Sequence, residues 1–110
     1  MTFRSIVTFK VKPGYEADFE AAYTEGEFLE RAAIIPGFQG GEFLRLAGGG
    51  SLYAAIALWD CEASYRDWQA AYGEALPQDK VAAMMETLEP LEPGKVFHIL
   101  NTTPGNPPEV

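Results

Sequence analysis

The sequence is poor in the side chains that bind metal ions and form disulfide bonds. Its 110 residues contain one cysteine, Cys61, and one histidine, His98. A single cysteine excludes an intrachain disulfide, which fits a reducing cytoplasm. No two histidines stand at helical spacing, and no Cys-x-x-Cys motif occurs. The acidic residues Glu25, Glu27 and Glu30 have the pattern of a solvated helix face, so we expect no bound metal ion.

Basic residues and long apolar runs are also scarce. Eight Lys and Arg residues stand against sixteen Asp and Glu, which gives a formal net charge of −8. Nucleic acids and anionic membrane surfaces attract basic proteins, so both are excluded as partners. The longest apolar run, Leu52–Trp59, is too short to span a bilayer. The first ten residues lack the pattern of a signal peptide, and we expect a cytoplasmic protein.

Motifs for nucleotide binding and nucleophilic catalysis are missing. There is no GxGxxG and no P-loop, and the run GGG at 48–50 joins two predicted strands. Ser5, Ser51 and Ser64 do not lie in a nucleophile-elbow context. The sequence therefore predicts no nucleotide cofactor and no serine nucleophile.

Four stretches have the pattern of β-strands. In FRSIVTFKV (3–11), one face carries Phe3, Ser5, Val7, Phe9 and Val11 and the other carries Arg4, Ile6, Thr8 and Lys10, as in a strand with one strongly apolar face. The other three predicted strands span 38–46, 52–59 and 95–100. Two glycines in the first of them suggest a bulge or a bend.

Helical spacing of apolar residues separates these strands. One helix is predicted over 15–33 and a second from about Cys61 to Tyr72, with Asp60 as its cap and Gly73 as its end. A third helical segment is predicted to follow Pro77.

The resulting order is β-α-β-β-α-β with a helical insertion before the last strand. This predicts an α+β, ferredoxin-like fold with a four-stranded antiparallel sheet and helices on one face. Residues 1–100 form one domain, and 101–110 form an extended tail. The other sheet face carries Ile6 and Thr8 and is half apolar, so we expect a homodimer that covers it.

Three stretches resemble a known family. IVTFKVKPG, IPGFQG and ALWDCEASYRDW, in this order and spacing, are similar to the antibiotic biosynthesis monooxygenase (ABM) domain. The resemblance covers residues 3 to about 100. It implies a dimeric α/β barrel with a pocket between the helices and the sheet of each protomer. It also implies oxygenation of polycyclic aromatics or quinols without metal or flavin, as several members perform.

A related branch of these proteins degrades haem. The tryptophan of that branch falls on Trp68, which is present. Its iron-ligating histidine falls on Gln78 and its asparagine on Val7. Two of the three positions are therefore lost, and haem degradation is not expected.

One helix carries an aromatic stripe. Cys61, Tyr65, Trp68 and Tyr72 follow each other at four, three and four residues. The stripe either fills the core or lines a pocket. Buried hydroxyl and indole N–H groups need partners, and the opposing strands carry few polar side chains, which favours a wet or ligand-filled pocket.

The sequence and the resemblance together predict a cofactor-independent monooxygenase that uses O₂ and an electron-rich phenol, anthrone or quinol. His98, if it faces inward, Tyr72 and Trp68 are the expected catalytic residues. The expected substrate-binding residues are Trp59, Tyr65, Phe9 and Val7. Two alternatives stay open, which are a non-catalytic small-molecule-binding dimer and a structural dimer with a filled core.

Overall fold

The structure, a computed structural model, describes residues 2–108. Along the chain, its elements are β1 (Phe3–Lys10), α1 (Glu16–Glu25), a 3₁₀ helix (Glu30–Ile34), β2 (Phe38–Arg45), β3 (Leu52–Trp59), α2 (Glu62–Ala75), α3 (Gln78–Glu86) and β4 (Lys95–His98). The strands form an antiparallel sheet in the order β2-β3-β1-β4. The predicted ferredoxin-like fold is confirmed, and α3 is the expected helical insertion.

The alternation in β1 divides the sheet into two faces. Phe3 and Phe9 pair with Trp59 and Tyr53 of β3, and these residues face the helices. Ile6 pairs with Ile56 on the opposite face. Period two therefore places every second side chain of both central strands in the core, as predicted.

The predicted irregularity in β2 is also present. Phe38 pairs with Trp59, whereas Gly41 pairs with Ala57, so the register shifts between them. Gly40, within this shift, has a φ of 121°, a conformation that side chains with a Cβ rarely adopt.

The prediction of a single helix over 15–33 is wrong. α1 ends at Glu25, Glu27 has a φ of 51°, and the chain resumes as the 3₁₀ helix. A Cβ on Gly26 would overlap the ring of Phe28, which lies against it. Phe28 thereby folds back onto Tyr23, with ring centroids 5.2 Å apart. The helix breaks because this reversal buries an aromatic ring that a straight helix would leave in water.

The boundaries of α2 differ from the prediction at both ends. Cys61, not Asp60, is the N-cap and makes no side-chain capping bond. Asp60 instead accepts a hydrogen bond from Ser64 Oγ at 2.7 Å, which lowers the pKa of its carboxyl group. The helix passes through Gly73 and ends where Leu76 becomes extended, because a residue before proline disfavours the helical conformation.

The helices cover one face of the sheet, and the segment after α3 returns along β1. α1 and α3 pack together, and Lys80 Nζ of α3 lies 3.2 Å from Glu25 Oε2 of α1. Leu88 forms an isolated antiparallel β-bridge with Val11, and the N–H of Glu89 donates to the carbonyl of Lys10 at 2.8 Å.

The last strand is shorter than predicted. β4 ends at His98, two residues earlier than predicted, and residues 99–108 have no regular structure. None of the helices between residues 2 and 108 combines the length and the apolar character needed to cross a membrane.

The open face of the sheet is partly apolar. Ile6 and Ile56 lie at its centre and are half-buried. Leu44, Leu52 and Phe97 at its margins are exposed to 40, 39 and 50%. This is the face for which the sequence predicts a partner chain.

The turn before β2 provides a test of the packing at the start of α2. Gly37 has a φ of 100°, and a Cβ there would overlap Asp60 Oδ1 and Ser64 Oγ. We expect Gly37→Ala to lower the free energy of unfolding by about 2–3 kcal/mol, because backbone strain and overpacking add. Urea denaturation measures the loss.

Gly14→Ala is the matched control for this substitution. Gly14 has a φ of 89°, but nothing lies within 4 Å of a Cβ at that position. Only the backbone cost of about 1 kcal/mol is expected there. Equal losses for the two variants would show that the contact with Asp60 and Ser64 does not restrict position 37.

Candidate functional site

A cavity of about 480 Å³ lies between the sheet and the helices. β1 and β3 form its floor, while α1, α2 and α3 and residues 91–94 form its walls. The volume is in the range of about 300–1,000 Å³ typical of small-molecule sites. A structural dimer with a filled core, one of the two alternatives, predicts no such space.

The side chains of β3 explain why the space is there. Ala55 and Ala57 face the helices at the middle of the strand, and Tyr53 and Trp59 flank them on the same side. Tyr53 contacts Phe19 of α1 at a centroid distance of 4.8 Å, and Trp59 contacts Tyr65 of α2 at 5.9 Å. The large rings reach the helices, and the methyl groups between them do not.

Three of the four stripe residues line the cavity. Tyr65 and Trp68 are buried, whereas Tyr72 is 40% exposed, and all three line it. The rings of Trp68 and Tyr72 meet edge to face, with centroids 5.0 Å apart. Cys61 is exposed at the start of α2 and is not among the lining residues. The helical spacing therefore identified a cavity wall from position 65 onwards.

The predicted strand residues join the stripe. Trp59, Phe9 and Val7 line the floor of the cavity. Six of the seven predicted site residues are thus brought together by β1, β3 and α2. Whether they act on a substrate remains a prediction.

His98 is the seventh, and the structure does not bring it to the cavity. It pairs with Phe3 in β4, stacks on the Phe3 ring at 4.8 Å and is exposed. His98 shares the helix-facing side of the sheet, but Phe3 begins β1 and stands at its margin. The condition for His98 as a base, that it faces inward to the pocket, is not met.

Several polar groups of the lining are satisfied within the protein. The indole N–H of Trp59 donates to Ser5 Oγ at 2.9 Å, and Gln69 Nε2 donates to the Tyr65 hydroxyl at 3.1 Å. Gln78 Nε2 donates to the carbonyls of Gly73 and Leu76 at 2.8 and 3.0 Å. The side chain at the position of the haem-branch histidine is therefore occupied in closing the end of α2.

One buried polar group of the lining has no such partner. Between residues 2 and 108, the hydroxyl of Tyr23 makes no direct side-chain hydrogen bond, although the residue is only 6% exposed. No side-chain nitrogen or oxygen in that range is both sealed from solvent and unpaired. Since Tyr23 lines the cavity, its hydroxyl opens into it. The indole N–H of Trp68, by contrast, hydrogen-bonds to the hydroxyl of Tyr72.

Tyr23 lies in the helix predicted over 15–33, where Phe19, Ala22 and Tyr23 follow the spacing of a buried helix face. All three are buried in α1. Which side of the buried ring meets open space depends on Phe28 and on the break after α1, which helical periodicity does not predict. The signal that could have found it is its hydroxyl, because a tyrosine at a core position needs a partner.

The cavity is uncharged apart from its mouth. Within the described range, the one charged side chain that lines it is Glu92, and no Lys, Arg or His does so. No group of three or more His, Cys, Asp or Glu in that range could hold a metal ion.

Burial keeps the tyrosines of the cavity protonated. It raises the pKa of Tyr23, with Tyr72 and Glu30 adding to the shift, and it raises the pKa of Tyr65 against the opposing effects of Arg66 and Gln69. It also raises the pKa of Tyr72, with a contribution from Tyr65, while Trp68 opposes the rise. Tyr72 is 40% exposed as a whole residue, but its hydroxyl is more enclosed, and the surroundings of the hydroxyl determine its pKa. All three hydroxyls are hydrogen-bond donors at neutral pH.

Comparison with known proteins places this fold and cavity in a family. Antibiotic biosynthesis monooxygenase sequences match residues 2–86. The chain belongs to the antibiotic biosynthesis monooxygenase (ABM) family. This confirms the family that the three sequence stretches resemble. No curated protein matches the chain at a significant level.

Solved structures agree on the ABM fold. The structure of SnoaB, a cofactor-independent oxygenase from Streptomyces nogalater, is similar with a TM-score of 0.72 and 24% identity, covering 94% of this chain and 98% of SnoaB. A candidate ABM protein from Bordetella bronchiseptica has a TM-score of 0.65 at 23% identity, with 93 and 98% covered. Another candidate ABM protein, from Nitrosomonas europaea, has a TM-score of 0.68 at 20% sequence identity, with 94% of each chain covered.

Replacing Trp68 tests whether its ring borders an open cavity in solution or is packed on all sides by other side chains. Removing a fully packed aromatic residue costs roughly 3–5 kcal/mol. We expect Trp68→Ala to lower the free energy of unfolding by markedly less, about 1–2 kcal/mol, because one side of its ring already faces open space. Chemical denaturation measures the difference.

Phe19→Ala is the control, since Phe19 is fully buried and is not among the lining residues. It should lose the full roughly 3–5 kcal/mol. Equal losses at positions 19 and 68 would mean that Trp68 fills a closed core.

Proposed function

We propose that the chain is a cofactor-independent monooxygenase that oxidises an electron-rich phenol, anthrone or quinol with O₂. The observation that supports the proposal is the aromatic cavity, in which tyrosine hydroxyls are left to donate to a ligand. Family membership and the likeness to SnoaB agree with it. In this proposal the electrons come from the substrate, so no resident cofactor is required.

The reaction balances without an external reductant. An anthrone-type substrate loses a proton, and its anion transfers one electron to O₂. The superoxide and the substrate radical then combine at the ring carbon. The O–O bond breaks, one oxygen stays as a new carbonyl group, and the other leaves as water with the two hydrogens of that carbon. The protein must bind the ring, stabilise the anion and exclude water.

The residues of the cavity divide these tasks between them. Trp59, Phe9 and Val7 supply a flat apolar surface, and Trp68 flanks the substrate ring. The Tyr72 and Tyr65 hydroxyls donate hydrogen bonds to the substrate oxygen, where negative charge develops.

Proton removal is the weakest step for this set of residues. The carboxylate of Glu92 lies at the mouth, and His98 has no part because it lies outside the lining. Carboxylates are far weaker bases than phenolates, so the anion must be stabilised by the donors around it.

Oxygen-dependent turnover tests the proposal. Wild-type protein and an anthrone or naphthalenediol panel are mixed in air, and quinone formation and O₂ uptake are followed after subtraction of spontaneous oxidation. For the anthrones we expect one O₂ consumed per substrate and one ¹⁸O atom in the product. Tyr72→Phe should lower kcat/KM about tenfold or more, because it removes a donor to the developing anion.

Tyr15→Phe is the control, because Tyr15 is exposed at the start of α1 and lies outside the lining. It should leave kcat/KM unchanged. Tight binding of the panel without any product above the spontaneous rate would favour the non-catalytic binding protein instead.

We also propose that the chain forms a homodimer through the open face of the sheet. Ile6, Ile56 and Phe97 make this face apolar, and a symmetric pair of sheets would remove it from water. The cavity lies on the other side of the sheet, so such an interface leaves it open to substrate.

Sedimentation velocity at micromolar concentration tests the assembly. We expect wild-type protein to sediment as a dimer and Ile56→Glu as a monomer, because the change buries a charge at the interface. Ile34→Glu, at a residue 62% exposed away from the sheet, should remain dimeric. A monomeric wild type would contradict the proposed interface.

A further inference from the structure

Tyr23 lies opposite the predicted stripe, on a different helix. It is contributed by α1, whereas Tyr65, Trp68 and Tyr72 come from α2. Tyr23 and Tyr72 line the same cavity from these two helices, and burial, with a contribution from the Tyr72 hydroxyl, raises the pKa of Tyr23. A ligand beside Trp68 is therefore within reach of polar groups from two sides.

The ring of Tyr23 is fixed by aromatic neighbours. It stacks on Phe43 with centroids 4.1 Å apart and planes inclined by 15°. The rings of Phe9 and Phe28 meet it edge to face at 5.7 and 5.2 Å, and Phe19 lies at 6.0 Å. A ring held on several sides has little rotational freedom, so its hydroxyl is oriented before any ligand arrives.

A comparison with Tyr53 shows that the free hydroxyl is specific to position 23. Tyr53 is equally buried and belongs to the same aromatic cluster, but its hydroxyl donates to Glu20. Tyr23 makes no such bond among residues 2–108, and it is the one of the two that lines the cavity. An oriented, buried and unpaired donor costs stability unless water or a ligand accepts its hydrogen.

The character of the lining limits what that acceptor can be. The hydroxyl is neutral, and within the described range no cationic side chain lines the cavity that could balance a full carboxylate or phosphate. Neutral donors in apolar surroundings suit a carbonyl oxygen, which gains partial negative charge as an adjoining carbon loses its proton.

From these observations we infer that Tyr23 is a specificity-determining residue that donates a hydrogen bond to a carbonyl oxygen on a polycyclic aromatic ligand. The inference rests on the proposed function and extends it. In a fused-ring ketone, the Tyr23 hydrogen bond strengthens as the ketone becomes an enolate, and this assists loss of the proton from the ring carbon.

Binding of two matched ligands tests the inference without oxygen chemistry. Fluorenone and fluorene share one tricyclic frame and differ in a carbonyl group against a CH₂ group. Their dissociation constants are measured by calorimetry for wild type and Tyr23→Phe. We expect wild type to prefer fluorenone, and Tyr23→Phe to weaken fluorenone binding about tenfold while changing fluorene binding less than about twofold.

The phenylalanine variant keeps the ring and its stacking on Phe43, so it is expected to fold, which circular dichroism checks. Tyr53→Phe is the matched control and should change neither constant. Infrared difference spectra give a second measurement. The carbonyl stretch of bound fluorenone should move to higher wavenumber in Tyr23→Phe and stay in place in Tyr53→Phe, because only the first loses a bond to the oxygen.

The outcomes separate this inference from the proposed function. Unchanged fluorenone binding in Tyr23→Phe, or equal weakening of both ligands, would overturn the role of Tyr23 even if wild type turns over anthrones. Selective loss of fluorenone without any oxygen-dependent product would support Tyr23 and reject the oxygenase. Failure of wild type to bind either ligand would overturn the role of Tyr23, whereas the oxygenase is decided by the turnover experiment.

Discussion

The sizes of four side chains on one strand determine the interior of this protein. β3 presents Tyr53, Ala55, Ala57 and Trp59 to the helices. The two large residues support α1 and α2 at separate points, and the two methyl groups leave the middle unfilled. Packed interiors rarely leave such a volume unless something is meant to occupy it. The position of α2, the exposure of the stripe and the depth of the cavity all depend on this alternation.

Hydrogen bonding divides the cavity into structural and available groups. Trp59 and Gln78 use their polar hydrogens within the protein, and these bonds tie β3 to β1 and close the end of α2. Tyr65 accepts a hydrogen bond from Gln69 but keeps its own O–H as a donor, and the Tyr23 hydroxyl makes no side-chain hydrogen bond among residues 2–108. A cavity that satisfied all its polar groups would bind by shape alone, whereas this one can select a ligand by where its oxygen atom lies.

The sequence predicted the strands more accurately than the helices and the site. Alternation in β1 and the apolar run of β3 report directly on burial, so the faces of β1 and the limits of β3 agree with the structure, and β1 ends one residue before the predicted Val11. The break at Glu27 could not be read from periodicity, because it results from Phe28 packing back on Tyr23. Spacing along α2 found Tyr65, Trp68 and Tyr72. Tyr23 and His98 required the tertiary structure, since a cavity hydroxyl and a marginal strand position look like ordinary core residues in the sequence.

The segment between α3 and β4 completes one wall of the cavity with only a few residues. Leu91, Glu92, Pro93 and Gly94 all line it, and they follow the part of the chain that matches the ABM family. A Cβ at Gly94 would overlap the Tyr65 hydroxyl and crowd Val7, so the backbone itself forms the surface there. A change of a few residues in this one short connection would therefore reshape the cavity wall without altering any side chain of the sheet or of the three helices.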